Sequence, residues 1–237
     1  MVPGDWRNGP LPRAYVERLA QIHALLRPRT YLEIGVKHGL TLGLAGPDTL
    51  AVGVDPEAEI TLPLSPRTQV RRETSDAFFS TRDIAREFEG LPIDLAFIDG
   101  MHLFEYALRD LINTMAHCSP AARIILHDTM PFDRQMALRE RETDAWTGDV
   151  WKLVPCLRRY CPGLAIVTLD TAPTGLTIIS NIDRADRALG RHYDAIVAEF
   201  VALDFAVYEA ERLALLNLVA DDPRETAARL GIEPCAS

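Results

Sequence analysis

Four short apolar runs constrain this chain more than any other feature: YLEIGV at 31–36, LAVGVD at 50–55, IDLAFIDG at 93–100 and ARIILHD at 122–128. Each is nearly continuous in apolar residues, as strands covered on both faces are. Between the last two lies a helical pattern, Leu103 to Cys118, whose stripe is Leu103, Phe104, Ala107, Leu108, Leu111 and Met115. Apolar strands alternating with helices predict an α/β fold with a mostly parallel sheet and helices on both faces. TQVRRETS, 68–75, reads as a weaker third strand in chain order. LAIVTLD, 164–170, and GLTIIS, 175–180, bring the expected number to seven. The short turn between them, with Pro173 and Thr174, predicts an antiparallel hairpin at the sheet end.

The chain is expected to form a single domain in three stretches: an N-terminal arm and helix over 1–27, an α/β core over 28–182 and a helical extension over 183–237. The first dozen residues, rich in Pro and Gly, predict an extended arm. A helix follows over Ala14–Leu26, with Val16, Leu19, Ala20 and Ile22 at helical spacing and Pro28 as its stop. Residues 129–152 have few apolar side chains and carry Trp146 and Trp151. They read equally as a lid over the strand ends and as an ordinary connection. Arg191 to Ala220 predicts a long amphipathic helix or helix pair, with packing on the domain as one use of its apolar side and a homodimer interface as the other.

A net charge of −9 argues against nucleic acid as a partner, because phosphate binding needs a basic surface. No apolar run approaches the roughly 18 residues that a membrane span needs. The N-terminus lacks the apolar stretch of a signal peptide, so the expected location is the cytoplasm. Cys118, Cys156, Cys161 and Cys235 fit no zinc spacing and read as free thiols in a reducing compartment.

In an open α/β sheet, ligands bind beyond the carboxyl ends of the strands. The first strand offers Glu33, Gly35 and Gly39, followed by an expected helix, and the second offers Asp55. The third offers Ser75 and Asp76, the fourth Asp99, Gly100 and His102, and the fifth His127 and Asp128. The glycine turn resembles a dinucleotide cradle, but the carboxylate at Glu33 would repel a pyrophosphate. S-adenosylmethionine has no phosphate, and its sulfonium suits an acidic rim. Asp55, 22 residues after Glu33, is spaced to accept from ribose hydroxyls.

The set EIGVKHG, VGVD, ETSD, FIDGMHLFEYALRDL and IILHD resembles class I S-adenosylmethionine-dependent methyltransferases over roughly residues 28–130. It is similar in particular to the small-molecule O-methyltransferase branch with an I-D-G-x-H strand end, which includes macrocin-type sugar enzymes. The resemblance implies a Rossmann-like fold and a small-molecule acceptor, a sugar or a phenolic metabolite of secondary metabolism. It implies that Glu33, Gly35 and Gly39 form the loop at the methionine end, that Asp55 holds the ribose, and that Ser75 and Asp76 lie near the adenine. It implies that Asp99 and Asp128 match ligands of a magnesium-like ion, with His127 beside Asp128 where sugar relatives carry glutamate. Imidazole is a poorer magnesium ligand than carboxylate, so a softer divalent ion is the alternative. His102 matches a general base, and Asp99 serves both cofactor and catalysis. Asp110 is expected to pair with an arginine or support the core edge. Two rival readings stand beside this one: an NAD-dependent oxidoreductase or epimerase, and a non-catalytic methyltransferase-like binding module.

Overall fold

The structure is a computed structural model and describes residues 14–232. The expected N-terminal arm and Cys235 lie outside the described residues. The helices are α1 (Ala14–Leu26), α2 (Ser75–Thr81), α3 (Ile84–Glu87), α4 (Phe104–Met115), α5 (Leu153–Tyr160), α6 (Ala188–Arg191), α7 (Tyr193–Val201), α8 (Phe205–Leu216) and α9 (Pro223–Arg229). The strands are β1 (Thr30–Ile34), β2 (Leu50–Val54), β3 (Thr68–Arg71), β4 (Ile93–Ile98), β5 (Cys118–His127), β6 (Ala165–Leu169), β7 (Leu176–Ser180) and β8 (Leu218–Val219).

These strands form one sheet in the order β3-β2-β1-β4-β5-β7-β6-β8. The strands from β3 to β5 run parallel, and β7 lies antiparallel between β5 and β6. Strand order reverses between β1 and β4, and at such a switch point the two crossovers leave the sheet on opposite faces and open a crevice. One face is covered by α2 to α5, α7 and α8, through Phe78, Ile84, Leu108, Leu157, Phe200 and Tyr208. The other is covered by Leu19 and Ile22 of α1, Leu42, and Leu230 after α9.

Several boundaries differ from the sequence reading for identifiable reasons. The third strand stops at Arg71, because Thr74 caps α2 by accepting the Ala77 N–H at 3.2 Å. Ser75 and Asp76 therefore form a helical first turn. No α-helix follows β1. A 3-10 turn over Leu42–Leu44 takes its place. The fifth strand begins at Cys118, which pairs with Ile93 ahead of a register shift. An eighth strand of two residues, too short to leave a pattern, runs parallel to Thr168 and Leu169. The long helix expected over 191–220 is broken into α6, α7 and α8, and its apolar side is largely spent on the domain, where Ile196, Phe200, Phe205, Tyr208 and Leu216 are buried. Cys118, Cys156 and Cys161 are buried free thiols. No helix among the described residues is long and apolar enough to cross a membrane.

Candidate active site

The crevice between β1 and β4 is narrow by construction. Asp99 N–H donates to the Ile34 carbonyl at 2.8 Å, and Gly35 N–H donates to the Val54 carbonyl at 3.0 Å. Gly35 has φ 87°, and a Cβ built on it would stand 2.0 Å from the Asp99 carbonyl oxygen. Only glycine fits this close approach. Asp55 holds the loop in shape. Its Oδ2 accepts from the backbone N–H groups of Val36 (2.9 Å) and Lys37 (2.7 Å), and its Oδ1 accepts from Glu57 (2.8 Å). The sequence placed Asp55 on a ribose. In this structure its carboxylate supports the glycine loop.

Glu33 departs from the expected open acidic rim. It is fully buried, with Tyr31 and Thr41 hydroxyls donating to it at 2.5 and 2.8 Å. Burial pushes its carboxyl up to about 8 against those two hydrogen bonds. The acid therefore sits beneath the loop. Ser75 and Asp76 open α2, and Asp76 is held by Arg109 through bonds of 2.9 and 2.7 Å. Asp110 does not pair with that arginine. It is buried near Ser75, and burial raises it to about 6.

Beside the crevice, β4, β5 and the start of α4 bring together Asp99, His102 and Asp128, which offer one ligand atom each within 4.8 Å of one another. His102 Nε2 lies 3.2 Å from Asp128 Oδ2 and 3.6 Å from Asp99 Oδ1. Burial alone would lower this imidazole, but the two carboxylates prevail and lift it to about 9. Burial would likewise lower His127, yet Asp128 and Asp99 hold it well above its ordinary value. Asp99 is pushed up by burial and pulled well below the usual carboxylate range by His127 and His102. Asp128 adopts φ 58°, uncommon for a residue with a side chain, directly after β5.

His127, expected as a metal ligand, brings its Nδ1 to the same two carboxylates, 3.0 Å from Asp99 Oδ1 and 3.5 Å from Asp128 Oδ2. That nitrogen donates to Asp99 Oδ1, and Nε2 lies 3.3 Å from the Thr174 hydroxyl. Both its nitrogens are engaged, and the group of mutually close ligand atoms contains His102 in place of His127.

Segment 129–152 passes over His102. The His102 Nδ1–H donates to the Trp146 carbonyl at 2.9 Å, and the indole stacks on the imidazole with centroids 5.3 Å apart. Gly148 meets the His102 backbone so closely that a Cβ on it would lie 1.7 Å from the His102 carbonyl oxygen. Asp149 ties the segment to α4 by accepting the Phe104 N–H at 2.7 Å, and it also pairs with Arg139 (2.8 Å) and Lys152 (3.2 Å). Of the two readings of this segment, the covering one fits. Trp151 and Lys152 are packing residues, with Trp151 against Phe205 and Tyr208. Tyr15 of α1, whose ring lies 4.4 Å from that of His127, also reaches the site. Asp149, Thr174 and Tyr15 carry no local pattern that marks them for the site, since distant chain segments deliver them.

Residues 32–129 match the profile of a protein family described as a methyltransferase domain. Over that stretch the chain is similar to methyltransferase domains. Its fold is the class I methyltransferase fold, with a mostly parallel sheet of eight strands among the described residues. In fold the domain is similar to the O-methyltransferase from Bacillus cereus in complex with SAH, at TM-score 0.51 and 13% identity over 76% of this chain and 92% of that one. It is also similar to the O-methyltransferase TomG from Streptomyces achromogenes, involved in tomaymycin synthesis and in complex with SAM. That likeness has TM-score 0.53 and 13% identity over 72% of this chain and 81% of that one. No curated protein sequence matches the chain significantly.

The donor set of this cluster fits a divalent cation: two carboxylate oxygens and one imidazole nitrogen, mutually close. Nitrogen among the ligands favours a borderline ion such as manganese over magnesium.

Proposed function

We propose that this chain transfers the methyl group of S-adenosylmethionine to a hydroxyl of a small molecule, a sugar or phenol being the acceptor class. The observation that carries this reading is the Asp99–His102–Asp128 cluster opening beside the Gly35–Asp99 crevice. In the reaction a bond from the acceptor oxygen to the methyl carbon forms as the carbon–sulfur bond breaks, and the cofactor leaves as S-adenosylhomocysteine. The protein must position the acceptor oxygen in line and remove its proton.

Glu33 and Asp55 shape the loop that would receive the cofactor, and Ser75 and Asp76 border the place of its adenine. His102 Nε2 is the atom to which the acceptor proton would pass. The Asp128 and Asp99 carboxylates favour its protonated form and lift it to about 9, so it acts as a base only once that proton has left. A divalent ion on Asp99 and Asp128 would supply Lewis acidity, lowering the pKa of an acceptor hydroxyl. An Nε2 that ligates the ion cannot also take a proton. His102→Ala separates the two uses: loss of a ligand weakens manganese binding, whereas loss of a base leaves that binding unchanged and slows transfer.

Thermal shift with S-adenosylmethionine, S-adenosylhomocysteine and NAD, each with and without magnesium, tests the cofactor. Ligand at about a hundred times its dissociation constant adds about 2.7 kcal/mol. At roughly 2–4 °C per kcal/mol for a chain of this size, that is a shift of several degrees. A rise with the adenosyl ligands alone supports the reading, and a rise with NAD alone overturns it.

A further inference from the structure

We infer that Thr174 is a positioning residue for Asp128, and that the β6–β7 turn sets the geometry of the cation site. This inference rests on the reading of Asp99, His102 and Asp128 as that site. The Thr174 hydroxyl is buried and donates to Asp128 Oδ1 at 2.6 Å. Its oxygen stands 3.3 Å from His127 Nε2, whose other nitrogen donates to Asp99. One hydroxyl thus links both carboxylates, directly to Asp128 and through His127 to Asp99. With Oδ1 engaged, Oδ2 is the Asp128 oxygen left to face His102.

The turn itself has little freedom. The Met130 N–H donates to the Thr174 carbonyl at 2.8 Å, and the Gly175 N–H donates to the Thr171 carbonyl at 2.8 Å. Gly175 has φ 77°, and a Cβ there would come within 2.8 Å of Met130 Cβ. The chain just after Asp128 is therefore clamped to the same turn that supplies the hydroxyl. A left-handed backbone at Asp128 and a carboxylate on a free rotor would make a poor ligand. The backbone bond between Met130 and Thr174 holds the first, and the Thr174 hydroxyl restrains the second. Partners that orient a metal-binding carboxylate typically change metal affinity by about 10–100-fold when removed.

The test uses the full chain with Mn2+ alone as the probe, bound manganese being read by electron paramagnetic resonance and titration calorimetry. The variants are T174V, which keeps the shape and loses the hydroxyl, and T174S, which keeps the hydroxyl. Wild type and T174S should bind Mn2+ alike, with T174V weaker by about tenfold or more. Affinity for S-adenosylhomocysteine should be the same in all three, which also reports an intact fold. T174V binding Mn2+ as tightly as wild type would overturn the role of Thr174 and leave the cation site standing. Failure of wild type to bind Mn2+ while it binds S-adenosylhomocysteine would overturn the cation site and this inference with it, without touching the cofactor reading. Equal weakening in T174S and T174V would assign the effect to packing and also overturn the inference.

Discussion

Replacing Glu33 with glutamine should make the protein more stable at neutral pH, although Glu33 lies in the loop motif. The side chain is fully buried and its carboxyl titrates near 8 in the fold, against 4.5 ordinarily. A group whose pKa is raised on folding stabilises fully below its unfolded value, and that stability is lost as pH rises through the folded value. Between pH 5.5 and 7.5 the unfolded chain has released the proton and the folded chain still holds most of it. Linkage at 1.36 kcal/mol per unit then gives a loss of about 2.5 kcal/mol across that window. Glutamine has no such titration; its Oε1 can accept from one of the Tyr31 and Thr41 hydroxyls while its amide N–H donates to the oxygen of the other. Urea unfolding of wild type and E33Q at both pH values isolates the effect, because every other group cancels in the difference. The stability gap should move in favour of E33Q by about 2.5 kcal/mol from pH 5.5 to 7.5, or about 5–10 °C in melting temperature. Parallel pH profiles would show that the two hydroxyls keep Glu33 ionised and would refute the reasoning.

His23 should act with the opposite sign. It is buried, neither ring nitrogen has a partner among the described residues, and burial lowers it to about 4. Wild type should therefore lose about 2 kcal/mol more than H23F between pH 7.5 and 5, and equal losses by urea unfolding would count against it. Gly35→Ala should abolish binding of S-adenosylhomocysteine by calorimetry, since its Cβ would meet the Asp99 carbonyl at 2.0 Å. Retained affinity would mean that the crevice can widen. Asp149→Ala should cost roughly 3–5 kcal/mol in chemical denaturation, because it leaves the buried Lys152 ammonium without its counter-charge and the Phe104 N–H without its acceptor. A loss under about 1 kcal/mol would show that segment 129–152 is held elsewhere.

Periodicity alone determined a good deal. Runs such as LAFI and IILH, apolar on both faces, admit little but central parallel strands, and the stripe from Phe104 to Met115 admits little but a covering helix. Because ligands gather at carboxyl strand ends, Gly35, Asp99 and Asp128 could be placed together before any contact was known. Local pattern failed where a contact across the fold set the outcome. The 3-10 turn after β1 and the two-residue β8 are too short to leave a period, and Arg109, adjacent to Asp110 in sequence, pairs with Asp76 instead. Strand ends also say which residues are neighbours without saying where their side chains point. Tertiary structure decided that Glu33 lies under the loop, that His102 joins Asp99 and Asp128 in one group of mutually close ligand atoms, and that segment 129–152 covers His102. It alone brought Thr174 to Asp128, 46 residues away along the chain. Direction is fixed by which distant group completes each buried hydrogen bond, and a single sequence carries no record of that pairing.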